Sequence, residues 1–126
     1  QLMKLANQIA VAVGMLAVAE SLLFAEQVGL DLMQTVEVLG SGAAGSWAME
    51  NLGRRIAQGD FQPGFMVKLL QKDLRILLEE AGSQHIPLLG TALVHQLYQI
   101  LERQGQERLG TQALILALKG DSHPAP

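Results

Sequence analysis

Within the first ten residues, QLMKLANQIA, one ammonium and two carboxamides fall at Lys4, Asn7 and Gln8. Helical residues three and four apart share a face, so these groups point the same way. They form either a solvated helix end or one wall of a polar site. A second polar group, Lys68, Lys72 and Asp73, interrupts the apolar stretch FMVKLLQKDLRILLEEA. By spacing, Lys68 and Lys72 lie one turn apart on the outer face of an amphipathic helix, and Arg75 is set to pair with Glu79. Charged residues ordinarily occupy solvated faces. Trp47 and Phe65 read by type as core or staple residues.

Other chemistries find no anchor. His85, His95 and His123 are not spaced as metal ligands, and no HExxH pattern occurs, so no metal site is expected. None of the serines sits in a GxSxG elbow. The segment GSGAAGS is glycine-rich, but it follows a helical pattern where a dinucleotide fingerprint needs a strand, and it lacks the GxGxxG spacing. It reads as a hinge between helices. With no cysteine, thiol catalysis, disulfides and Cys-bound zinc are excluded, which fits a reducing compartment. A net charge of −3 and a pI near 5.5 argue against nucleic acid as a partner, because phosphate binders need clustered Lys and Arg. No secretory pattern opens the chain, so a cytoplasmic protein is expected.

The elements that position these residues are helices. The chain has 126 residues, is 49% hydrophobic and 17% charged, and suits one domain with a real core. A first helix runs from Leu2 to about Val28 and is closed by Gly29. Its stretch IAVAVGMLAVAESLLFA has the minimum length for a membrane span but carries Glu20, and it reads as the central rod of a soluble bundle. Asp31 caps DLMQTVEVL, which ends at Gly40. Ser46 caps a third helix stopped by Gly59, and DFQPG is a turn. A fourth helix is predicted from Phe65 to about Ala81, its inner stripe Met66, Leu69, Leu70, Leu74, Leu77 and Leu78, with Gly82 as its stop. Pro87 opens the first turn of a fifth helix that reaches Gly105. Thr111 caps a last short helix, TQALILALK, and residues 120–126 form a frayed tail. No segment alternates with period two, so the fold class is all-α, a helical bundle around one long apolar helix.

The KLANQ opening, the AVAESLLFAEQVGLD helix, GSGAAGSW and DFQPGFMVKLLQKDLRI together resemble the C-terminal domain of the β-hydroxyacid dehydrogenase family. That family includes 3-hydroxyisobutyrate dehydrogenase, tartronate semialdehyde reductase and the glyoxylate/succinic semialdehyde reductases, with 6-phosphogluconate dehydrogenase as a distant relative. The resemblance spans residues 1–119. It rests on Lys-x-x-Asn at the start and Phe-x7-Asp later, at the separation the family shows.

The resemblance implies a 6-phosphogluconate dehydrogenase C-terminal-like fold and an N-terminal Rossmann domain, absent from these residues, that binds NAD or NADP. It makes Lys4 the counterpart of the catalytic lysine, Asn7 and Gln8 the amides that hold substrate, and Phe65 and Asp73 cleft-lining residues, with Lys72 on the cofactor side. Imine reductases share the architecture but typically lack the lysine, so Lys4 favours hydroxyacids and semialdehydes. The chemistry is coherent, since an ammonium both stabilises a developing alkoxide and donates a proton to it. The expectation is therefore a fragment of an NAD(P)-dependent oxidoreductase acting on a small 3-hydroxy acid, inactive alone and homodimeric. The alternative is a non-catalytic helical dimerisation module in which the Lys4 group is incidental.

Overall fold

Helix α1, Leu2–Gln27, runs for 26 residues because its Ala- and Leu-rich sequence contains no proline and only one glycine, Gly14. It stops where Gly29 takes a positive φ of 86° and the Leu30 N–H bonds back to the Ala25 carbonyl at 2.9 Å. The structure, a computed structural model, describes residues 1–120. All the other helical elements pack against α1. Ala12, Met15, Val18, Ala19 and Leu22 on its inner face are almost completely buried. The opposite face, which includes Met3, Ala10, Ala17, Glu20 and Phe24, is exposed. α1 is long and apolar enough to cross a membrane, but here its inner face is the floor of the bundle.

Asp31 caps α2, Leu32–Gly40, by accepting from the Gln34 N–H at 2.9 Å. Ser46 likewise accepts from the Met49 N–H at 2.9 Å. The helix it opens is not regular: a π turn over Ala48–Leu52 precedes α3, Gly53–Ala57. α3 ends near Gly59, whose φ is 69°.

Helix α4, Val67–Ser83, begins two residues later than the apolar spacing predicts. Phe65 and Met66 stay outside the helix, Met66 extended at φ −76° and ψ 146°: the Phe65 carbonyl accepts from the Thr111 N–H at 3.0 Å, and at the helix start the Val67 N–H donates to the Leu109 carbonyl at 2.9 Å. A single bridge between Met66 and Gly110 is the only strand-like pairing among the described residues. The inner stripe is Val67, Leu70, Gln71, Leu74, Leu77 and Ala81, so Leu69 and Met66 are not core positions. The stripe is rotated because the core accepts Gln71, a polar residue that a hydrophobic pattern passes over. Nor does Gly82 stop the helix; it lies within the last turn, and His85 takes the left-handed conformation, with φ 57°.

Helix α5, Leu89–Arg103, starts after Leu88, so Pro87 precedes the helix and is not in its first turn. Thr111 is no cap either. It is buried at the start of a 3-10 turn, Thr111–Ala113, that leads into α6, Leu114–Lys119. Gly120, at φ 74°, ends α6. The predicted frayed tail beyond it, with His123, lies outside the described residues.

Candidate functional site

The first two turns of α1 lie beside the second turn of α4. There Lys4, Asn7, Gln8 and Asp73 form one connected polar cluster. The Gln8 Nε2–H donates to Asp73 Oδ2 at 2.8 Å, and the Asn7 Nδ2–H donates to Gln8 Oε1 at 3.2 Å. The Lys4 Nζ stands 3.8 Å from Asp73 Oδ1. Burial is uneven: the Lys4 side chain is 66% exposed and that of Asp73 only 13%. Gln8 is buried although Asn7 is exposed, because Gln8 shares the inner face with Ala12 and Met15.

Gln8 also lines a groove of about 870 Å³. Phe65 and Trp47 contribute rings to it, 40% and 69% exposed respectively. Their aromatic character suggests core or staple positions; the fold holds both outside the core. Phe65 sits before α4 on the extended stretch paired to Thr111, and Trp47 immediately precedes the π turn. Lys72 neighbours Asp73 in sequence but is exposed and makes no ion pair among the described residues.

The groove adds residues that motif spacing did not single out: Asn51, Arg54, Arg55 and Gln58. The signal was the run of polar residues at helical spacing after Ser46. Arg55 is already committed, with Nε 3.1 Å from Asp60 Oδ2 and an N–H donated to the Gln62 carbonyl at 2.6 Å. The Gln62 N–H and the Arg55 guanidinium together hold the Asp60 carboxyl below the usual carboxylate range. Arg54 is exposed, its guanidinium 3.6 Å from Met33 Sδ.

Arg75 does not pair with Glu79 as helical spacing suggests; its guanidinium lies 3.5 Å from Glu102 on α5. A neighbour on another helix has displaced the local one. Among the described residues no group of three or more His, Cys, Asp or Glu could hold a metal ion.

A family model described as NAD-binding of NADP-dependent 3-hydroxyisobutyrate dehydrogenase matches residues 1–118. The probable 3-hydroxyisobutyrate dehydrogenase-like 1, mitochondrial, of Arabidopsis thaliana is 46% identical over 119 residues, 94% of this chain and 36% of its own length. The 2-hydroxy-3-oxopropionate reductase of Escherichia coli is 38% identical over 119 residues, 94% of this chain and 41% of its own. A solved 3-hydroxyisobutyrate dehydrogenase from Salmonella typhimurium superposes with a TM-score of 0.85 at 25% identity, covering 90% of this chain and 40% of that one. The chain thus spans about two fifths of the length of the curated relatives it matches.

Proposed function

The chain belongs to the 3-hydroxyisobutyrate dehydrogenase family, and from that premise we propose that it is the helical, substrate-side part of an NAD(P)-dependent oxidoreductase. In this reading the whole enzyme interconverts a small 3-hydroxy acid and its semialdehyde, and Lys4 supplies the proton. The observation that carries the reading is the meeting of the Lys4 ammonium with Asp73 at 3.8 Å, beside a groove lined by Gln8 and Phe65.

The groove suits one face of a nicotinamide nucleotide. Its two rings offer flat apolar surface, and the Arg54 guanidinium offers positive charge. Of the residues that the resemblance assigns to the cleft, Phe65 lines the groove, Asp73 is joined to it through Gln8, and Lys72 is exposed next to Asp73 in the chain. The turn at residues 41–46 follows a helix and not a strand, so the described residues contain no strand-loop-helix phosphate cradle. Together with the chain's share of its relatives' length, this supports a nucleotide-binding part lying elsewhere in the protein and an inactive chain when alone.

When bound, the nicotinamide supplies or accepts the hydride. The residues of this chain handle the proton and the charge. The Lys4 ammonium faces the carbonyl oxygen, stabilises the negative charge that grows on it, and transfers a proton to it. In the oxidative direction the neutral amine takes the hydroxyl proton. Asn7, exposed beside Lys4, keeps one N–H and its carbonyl oxygen for the substrate carboxylate or hydroxyl. The exposed apolar face of α1 supports a homodimer, which sedimentation at rising concentration would detect.

Lys4→Ala in the full-length protein tests the assignment. The expected result is a loss of turnover of about 100-fold or more with nicotinamide binding retained. Unchanged turnover would leave only the dimerisation module.

A further inference from the structure

We propose that Gln8 is a positioning residue, which anchors the Asp73 carboxylate and so keeps the Lys4 ammonium free to reach a ligand, and does not itself bind the substrate. The inference rests on the reading of Lys4 as the proton donor.

Three observations carry it. First, the Gln8 amide is engaged at both ends, donating to Asp73 Oδ2 at 2.8 Å and accepting from Asn7 at 3.2 Å. Second, Gln8 is 7% exposed, whereas Asn7 and Lys4 on the same stretch are exposed. Third, the two contacts on Asp73 differ in kind. The 2.8 Å bond to Gln8 is charge-assisted and largely shielded from water, which makes it the stronger. The 3.8 Å approach of Lys4 exceeds hydrogen-bond length, and the exposed ammonium is screened by solvent. The carboxylate is therefore fixed by the amide and only tethers the amine. Lys4 can leave Asp73 Oδ1 for a substrate oxygen while Oδ2 stays satisfied.

Without the amide, Asp73 has one strong partner left to seek, which is Lys4. A tight Lys4–Asp73 pair would sequester the proton donor. The defect then falls on the chemical step and not on substrate binding. Chain length also matters here: asparagine is one methylene shorter, which draws the amide back by about 1.5 Å and breaks the 2.8 Å bond. Gln8→Asn should thus behave like Gln8→Ala, although it preserves the amide chemistry a substrate would need.

The test is a double-mutant cycle in the full-length protein with Gln8→Ala, Asp73→Ala and both changes together. The expected result is a kcat lower by about tenfold in Gln8→Ala, KM within about twofold, no rescue by Gln8→Asn, and no further loss from Gln8→Ala once Asp73 is alanine. A tenfold rise in KM that persists in the Asp73→Ala background, or rescue by Gln8→Asn, would overturn the proposal. A readout independent of turnover is the Gln8 side-chain amide resonance of the 126-residue chain. It should shift strongly on Asp73→Ala and little on Lys4→Ala; no shift on Asp73→Ala would overturn the proposal as well. Retained turnover in Lys4→Ala would strike the donor assignment alone, because the resonance test does not depend on it.

Discussion

The fully buried Tyr98 hydroxyl donates a 2.8 Å hydrogen bond to the carbonyl of Thr111, joining α5 to the turn that opens α6. Burial pushes its ionisation far above the ordinary phenol range, so it remains a donor at all ordinary pH. The same Thr111 donates its N–H to the Phe65 carbonyl, which sets the base of the groove. Tyr98→Phe removes the phenol, but the Thr111 carbonyl keeps the Leu114 N–H as a partner. The loss of stability should therefore be about 1 kcal/mol, at the low end for a buried bond, as read from urea unfolding.

A second buried device joins α4 to α5. Gln71 is fully buried, with its Nε2 donating to Glu102 Oε1 at 2.8 Å and to the His95 carbonyl at 3.2 Å. Its Oε1 is left to accept, so the His95 Nδ1, 3.0 Å away, carries the proton. Burial first, and the Arg75 charge next, hold the imidazole below its ordinary value of 6.5, with Glu102 acting the other way. The native state thus favours the neutral ring. As pH falls below about 6.5, unfolded chains bind a proton that the native ring resists, and stability declines until the native ring itself titrates. Melting temperature should fall between about pH 7 and pH 5.5, and His95→Asn, which retains a donor, should flatten this slope.

The glycine-rich turn has a steric role. The Gly45 N–H closes it on the Gly42 carbonyl at 2.9 Å, and a Cβ at Gly45 would stand 2.5 Å from the Gly40 carbonyl oxygen. Backbone cannot yield as a flexible side chain would. Gly45→Ala should open the turn and shift the neighbouring Ser46 cap and Trp47. A melting temperature several degrees lower, with a changed emission from this single tryptophan, is the expected outcome.

Much of this was legible in the sequence because the signals were local. Asp31 and Ser46 cap where side chains able to accept from a helix N-terminus precede apolar runs, and Gly29, Gly59, Gly105 and Gly120 all take positive φ at helix ends. The errors share a cause, which is a distant partner. Phe65 and Met66 stay out of the helix because residues 107–111 pair with this stretch and take up the first free N–H groups of α4, and Arg75 pairs with Glu102 in place of Glu79. Gln71 is buried because α5 satisfies its amide, which no hydrophobic pattern reveals. At the candidate site, the grouping of Lys4, Asn7 and Gln8 follows from helical spacing, but the arrival of Asp73 was expected only through the family resemblance. Arg54 and Asn51 lie on the groove through the packing of the π turn and α3, a juxtaposition that a linear pattern does not contain.

The donor role proposed for Lys4 separates charge from proton transfer in one further substitution. Arginine at this position keeps the positive charge and reaches farther, but its guanidinium does not give up a proton at ordinary pH. If the ammonium acts only as a charge near Asp73, Lys4→Arg should retain most of the turnover of the full-length protein. If it is the proton source, kcat should fall about 100-fold or more while KM stays within a few-fold, and Lys4→Ala should raise KM in addition. Steady-state kinetics of the two variants decides between these outcomes. A Lys4→Arg enzyme with nearly full kcat would reduce the ammonium to an electrostatic clamp and place the proton source in another group.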